Sequence, residues 1–369
     1  MMKFLVQIFH ITIFYTFCFQ RFSFHACFFR YISKYLKMCI KSTHINLQPR
    51  KKTNLLYRYG YVLLMLACMI FASIQPHIGG TNGIINGNFI IHYFAVPLTY
   101  LEAGLLCNPK SLYSTLRDGY LLTFVMTFIY ILMPFLARIG TYLLTYAKVN
   151  VWLLKGMEVL YCMPPPFSTG LALCRLAQAD LPTSVITTLV SHFGGLFLSP
   201  ILLYLMLGMF TPPLVGINFK ETIYSTLIPL GMGIMLRSFI LKDKYLNINT
   251  GWFSQGLLLT IAYHWFCDAV LADASSLQAV DILFCVLITC VGQLLLSSLC
   301  WILCSQWLPR NILLAALFTS THKSVGLGGW ILRGAYHGSV HGPAVNLPLT
   351  ILPVAQLLLG SLLASWLAP

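Results

Sequence analysis

Cys162-Met163-Pro164-Pro165-Pro166-Phe167-Ser168-Thr169-Gly170 stands inside an apolar run at about 152–174. Three consecutive prolines cannot continue a helix, because each lacks an amide proton and its ring clashes with the preceding turn. The run therefore reads as two half-helices joined by a break. A second interruption, Thr319-Ser320-Thr321-His322-Lys323-Ser324-Val325-Gly326-Leu327-Gly328-Gly329, falls inside the apolar run at about 311–333. Here polar side chains and glycines interrupt the helix. Pro164, Pro165, Pro166 and Gly326 are the expected structural breakers.

Working outward from these breaks gives ten apolar runs, at about 59–78, 88–107, 119–144, 152–174, 183–208, 222–241, 252–272, 280–304, 311–333 and 346–367. Each reaches the roughly 20 residues a helix needs to cross a bilayer core about 30 Å thick. Runs such as Ile282 to Ile302 are continuous rather than alternating, which excludes a β-barrel. The breaks lie in the fourth and ninth runs, so ten divide into five plus five, and an odd number per half inverts one half against the other. The fold class expected is an all-α polytopic membrane protein of ten transmembrane helices, with inverted repeats at about 59–208 and 222–367. Interrupted helices at matching places in inverted halves point to a transporter's binding site near the middle of the membrane.

Composition agrees. The 369 residues are 58% hydrophobic and 9% charged, against about 25% charged in soluble proteins. That excludes a soluble domain, and 25 Phe, 19 Tyr and 7 Trp exclude a disordered chain. The formal charge of +14 is concentrated before Tyr59, where ten of the 23 basic residues fall and no Asp or Glu does. Basic residues beside a first span hold that end in the cytoplasm, so the expected partner is the lipid bilayer and no nucleic acid. Residues 1–54 read as a basic extension, disordered or interfacial, and 55–369 as the transporter domain. A signal or transit segment, an extra poorly formed helix and an upstream stretch that does not fold remain open for that extension. Lys110, Arg117, Arg175, Arg237, Lys242, Lys244 and Arg310 share its side. Both termini are then cytoplasmic, in a multi-pass protein of the plasma membrane or the secretory pathway.

Breaking a helix in lipid frees backbone carbonyls, which attract cations, and amides at half-helix N-termini, which attract anions. Ser168 and Thr169 offer further oxygens at the first break. Lys323, beside His322, is an ionisable group about twelve residues from either end of its run, and such a group costs at least about 2.5–3.5 kcal/mol to insert. Two readings stay open. Its ammonium caps carbonyls at the break, or its charge attracts an anionic substrate or stands where another transporter holds sodium. Glu102 and Glu158 either pair with a cation or sit at an interface, and Asp268 reads as interfacial. The twelve cysteines show no paired CxxC pattern, and Gly338, Gly342 and Pro343 place His337 and His341 in a loop, so neither a cofactor nor a metal centre is expected.

Trp152-Leu153-Leu154-Lys155-Gly156, Cys162-Met163-Pro164-Pro165-Pro166, Phe266-Cys267-Asp268, Ser320-Thr321-His322-Lys323-Ser324 and Pro353-Val354-Ala355-Gln356-Leu357-Leu358-Leu359-Gly360-Ser361 together resemble the bile acid:sodium symporter superfamily of solute carriers. The resemblance covers about Tyr59 to Trp366 and is to the divergent cotransporter 7-type branch. It implies that broken helices four and nine cross, that a core bundle moves against a panel, and that the crossing binds sodium beside an organic anion. Carried over by position, Ser168 and Thr169 match a Ser-Asn at the first crossing, and Thr187, Thr188 and Ser191 match span-five hydroxyls that help bind sodium. His322 and Lys323 stand where those symporters have Gln-Asn, and their sodium-binding Glu falls near Phe318. Two like charges 4 Å apart repel by about 4 kcal/mol at an effective dielectric of 20, so a charged Lys323 and a neighbouring sodium exclude each other.

The expected function is alternating-access transport of a small organic anion, with sodium coupling reduced or absent, and the resemblance to that branch implies a link to secretory-pathway and calcium homeostasis. Ser168, Thr169, Thr187, Thr188, Ser191, His322, Lys323 and Ser324 are its expected site. A non-transporting regulator of calcium entry is the alternative. An enzyme is disfavoured, since no GxGD pair, HExxH or GxSxG elbow occurs.

Overall fold

A computed structural model describes residues 55–80, 83–166, 168–208, 223–240, 251–271, 278–324, 328, 332 and 339–368. The N-terminal extension, Gly326 and His337 lie outside them. Regular structure among the described residues is entirely helical. In chain order it comprises α1 (Leu55–Ile74), a single helical turn Pro76–Gly79, α2 (Gly87–Ile90, a π-helical turn Ile91–Ala95, then Val96–Leu106), the short α3 (Pro109–Leu116) and α4 (Gly119–Tyr146, with a π-helical turn at Phe128–Leu132). There follow α5 (Val151–Tyr161), α6 (Thr169–Leu176), α7 (Leu181–Leu207) and α8 (a π-helical turn Ile223–Leu227, then Ile228–Ile240). The rest are α9 (Gly251–Leu271), α10 (Ala279–Cys304), α11 (Arg310–Thr321) and α12 (Gly342–Leu367). By length and composition α4, α7, α10 and α12 can each cross a membrane.

Local chemistry sets many of the helix ends. Asn108, Asp118, Asn150 and Asp180 each accept a hydrogen bond from an amide in the first turn of α3, α4, α5 and α7, at 3.0–3.1 Å. Such caps contribute about 1 kcal/mol each. Gly208 ends α7 at φ 64°, a conformation glycine adopts without steric cost. The first apolar run is interrupted at Gln75 and resumes as the single turn Pro76–Gly79. Pro76 follows Gln75, and the residue before a proline is pushed out of the helical region, here to φ −131° and ψ 63°.

The distribution of polarity is inverted relative to a soluble protein. Exposed positions are apolar, such as Ile70, Ile131, Leu205 and Leu295, whereas Thr187, Ser191, Gln293, Ser320, Thr321 and Lys323 are buried. That is the arrangement a lipid solvent selects, with polar groups turned to the bundle interior. Within the bundle α5 packs on α4 and α12, α10 on α11 and α12, and α6 against α7, α9, α11 and α12. Small residues permit close approach. A Cβ on Gly156 would strike the Val345 carbonyl of α12, and Gly104 of α2 and Gly233 of α8 bring their backbones into contact.

Candidate functional site

Two breaks meet in the interior. α5 ends at Tyr161, and Met163 to Pro166 lead to Ser168, the N-cap of α6. α11 ends at Thr321, where His322 turns extended at φ −86° and ψ 147°. The chain then runs against the first break, and the Ser324 amide donates to the Pro164 carbonyl at 2.8 Å. The start of α6 lies on the end of α11, with the Cβ position of Gly170 3.3 Å from the Phe318 carbonyl oxygen.

Lys323 is 1% exposed, and its Nζ donates to the carbonyls of Met163 (2.9 Å) and Ile129 (3.1 Å). Sequence chemistry explains why both carbonyls need a donor. Met163 is followed by three prolines, none with an N–H. Ile129 lies in the π-helical turn of α4, where the Met133 amide bonds to Phe128, one residue back from the α register. The next donor in that register would be residue 134, which is proline. Lys323 therefore replaces the missing amide at Ile129 and serves the Met163 carbonyl, which lies past the end of α5. Each charge-assisted bond is worth about 1.5–3 kcal/mol, enough together to offset the insertion cost of the amine. The Tyr130 ring centre lies 5.9 Å from Nζ, and the Tyr130 hydroxyl donates to the Ser191 carbonyl at 2.5 Å, tying α7 to the same place.

A directed amide chain supports the second break. The Lys323 backbone N–H donates to Gln356 Oε1 (3.2 Å), so Gln356 Nε2 donates onward to Gln293 Oε1 (3.2 Å). Gln293 Nε2 in turn donates to Thr321 Oγ1 (3.4 Å), whose proton goes to the Leu317 carbonyl (2.8 Å). His322 Nε2 donates to the Gln356 carbonyl at 3.3 Å, since a carbonyl only accepts. At the first break His192 Nδ1 donates to the Pro165 carbonyl at 3.0 Å.

Of the residues singled out in sequence, Pro164, Pro165, Ser168, Thr187, Thr188, Ser191, His322 and Lys323 are buried, while Pro166, Thr169 and Ser324 are half-buried. The structure joins Lys323 and Ser324 to the first break. The α7 hydroxyls do not converge on Lys323. Thr187 donates to the Thr183 carbonyl (2.7 Å) and lies 3.1 Å from Thr319 Oγ1, Ser191 donates to the Thr187 carbonyl, and Thr188 Oγ1 has no hydrogen-bond partner among the described residues. Ser168 makes no side-chain cap bond. Phe318, near the position of the symporters' glutamate, is buried with its ring 6.1 Å from that of His322.

The two interior glutamates are paired, Glu102 with Arg175 at 3.1 Å and Glu158 with Arg138 at 2.7 Å. His341 stacks on Trp152 at 4.2 Å. Cys300 and Cys304 lie 3.9 Å apart, with Cys300 3.5 Å from Ser320. Sequence reasoning passed over Ile129, Tyr130, His192 and Gln293. Pro134 in the middle of a long apolar helix was the available signal for Ile129, and a lone mid-run glutamine for Gln293.

Residues 60–369 match the model of the SBF-like CPA transporter family. Curated relatives include the sodium/bile acid cotransporter 7 of Xenopus tropicalis, 29% identical over 84% of this chain and 91% of that protein. Those of Danio rerio and Rattus norvegicus are likewise 29% identical, over 82% and 80% of this chain and 91% and 89% of theirs. The chain belongs to the SBF-like CPA transporter family, within the bile acid:sodium symporter superfamily, and is a membrane transporter of that type rather than an enzyme.

Proposed function

We propose that this protein carries a small organic anion across the membrane by alternating access about the two breaks, with sodium coupling reduced or absent. The observation that carries the reading is Lys323, whose Nζ sits between the carbonyls of Met163 and Ile129, a place that suits a cation. A built-in positive charge there supplies what a bound sodium ion would supply and opposes the binding of one nearby. It also leaves a net positive interior to attract an anion. Ser168, Thr169, Thr187, Thr188, Ser191, His322 and Ser324 complete the proposed site, where the Thr188 hydroxyl, without a hydrogen-bond partner among the described residues, would meet a ligand.

The same reading takes ten membrane crossings in two inverted halves, α5 with α6 forming the fourth. Both termini are cytoplasmic, the chain divides at about residue 54, and the protein works in the plasma membrane or secretory pathway with a bearing on calcium handling. Comparing untargeted metabolites of cells with and without the protein identifies candidate anions, and uptake into proteoliposomes tests them. Wild-type uptake is expected to depend weakly on sodium, and Lys323→Ala to create or strengthen that dependence. Steep wild-type dependence, with two sodium ions per turnover, overturns the reading.

A further inference from the structure

α2 and α8 pack chiefly on each other, through the backbone contact at Gly104 and Gly233. Arg237 of α8 reinforces that pairing by donating to the carbonyls of Leu105 (3.3 Å) and Leu106 (2.6 Å) at the end of α2. Towards the broken helix the pair offers a mainly apolar face. Tyr100 and Ala103 of α2 share a buried cluster with Leu171 of α6 and with Val185 and Leu189 of α7. One ion pair crosses this boundary among the described residues, Glu102 of α2 with Arg175 of α6 at 3.1 Å. Arg175 lies in the last turn of α6, the second half of the broken helix, at the end of the bundle that also holds Arg237.

We propose that Glu102 and Arg175 form the gate at the basic end of the transporter, cytoplasmic in the orientation proposed above. The pair closes the boundary between the α2–α8 unit and the broken helix, and must part for the crossing to open there. Apolar faces that separate gradually would form a leaky gate. The Glu102 side chain is 6% exposed and that of Arg175 is 18% exposed, and separating opposite charges in such surroundings is costly unless water replaces the lost contact. The contact is therefore either made and dry or broken and wet, as a gate requires. Arg237 ties the end of α2 to α8, so the proposed motion is of the α2–α8 unit as one body. The inference rests on alternating access but not on the identity of the substrate.

Cys107 caps α2, is 1% exposed and has Arg175, Asp180 and Arg237 as its charged neighbours. The rate at which N-ethylmaleimide alkylates Cys107 in the full-length protein, in inside-out membrane vesicles and read by peptide mass spectrometry, reports the gate without any substrate. Glu102→Gln and Arg175→Gln are each expected to raise that rate about tenfold or more, Arg175→Lys to raise it less, and the exchange Glu102→Arg with Arg175→Glu to bring it back towards wild type. Single variants within about twofold of wild type overturn the proposal, as does an exchange variant as reactive as the singles. An equal rise at Cys285, 0% exposed in a separate core cluster, means general loosening and also overturns it. Restored protection in the exchange variant, with no anion carried by the wild type, leaves the gate standing and removes the organic-anion reading alone.

Discussion

The two breaks end their helices by different physics. At the first, covalent chemistry suffices, because Pro164, Pro165 and Pro166 have no amide proton and cannot extend α5 whatever surrounds them. At the second, no proline intervenes between Thr321 and Ser324, and every residue there has an amide able to continue a helix. What redirects that chain is tertiary. The Lys323 N–H is taken by Gln356, the Ser324 N–H by the Pro164 carbonyl, and the Lys323 side chain by Met163 and Ile129. The first break is autonomous, and the second exists because it is bonded to the first and to α12. A transporter built this way has one fixed break and one adjustable one.

Gln356→Leu should show the difference most strongly. It strands the Lys323 amide and removes the partner of Gln293 Oε1, at about 1–3 kcal/mol for each buried group left unsatisfied, so a loss of about 2–4 kcal/mol is expected in detergent unfolding. Ser168→Ala at the first break should cost less than about 0.5 kcal/mol, although an N-cap serine is ordinarily worth about 1. Its hydroxyl makes no cap bond to lose. Equal losses for the two variants would mean that the first break also relies on side chains.

Lys323→Met comes next. It orphans two carbonyls and at the same time removes the insertion cost of a charged group, leaving a net loss of about 2 kcal/mol. Sodium should recover part of that loss, because the freed carbonyls then accept a cation. Unfolding of Lys323→Met with and without sodium measures this, and a sodium effect as large in wild type would contradict the replacement of sodium by Lys323.

This contrast explains what was legible in the sequence. The first break could be read directly, since proline acts through its own covalent structure. Lys323 was visible as an anomalous charge, yet its two roles stayed undecided because its acceptors, 194 and 160 residues away in sequence, depend on how helices pack. Glu102 and Glu158 stayed undecided for the same reason, and their arginines became evident only in three dimensions. The resemblance alone marked Thr187 and Ser191, and nothing in the sequence showed their bonds to carbonyls of their own helix, a local option that serine and threonine always have. Helix positions were legible through hydropathy, and their ends where a cap or a proline marked them.

Glycine substitutions probe how far each break can yield. A Cβ on Gly195 of α7 would lie 2.5 Å from Cβ of Pro164 and against the Tyr130 hydroxyl. The ring of Pro164 is fixed to the backbone and cannot swing away. On Gly360 of α12 the same Cβ would lie 2.7 Å from a terminal methyl of Leu173 and 2.8 Å from Nε2 of His322 at the second break. Those atoms end rotatable side chains. Gly195→Ala should therefore cost about 1–3 kcal/mol and Gly360→Ala less than about 1, again read by unfolding. The reverse order would make the second break the stiffer one.

The smallest expected effect tests why Lys323 is needed at all. In the α4 turn the Ile129 carbonyl lacks a donor because residue 134 is proline, so Pro134→Ala supplies the missing amide in the existing register. Made alone, the substitution adds a donor where Lys323 already bonds, and stability should stay within about 1 kcal/mol of wild type. Made together with Lys323→Met, the new amide takes over one of the two abandoned carbonyls, and about 1 kcal/mol of the loss should return as a coupling energy in the double-mutant cycle. Rescue is confined to Ile129, since the Met163 carbonyl still faces three prolines. Strictly additive losses would mean that the π-helical turn satisfies Ile129 by itself and that Lys323 serves the first break alone.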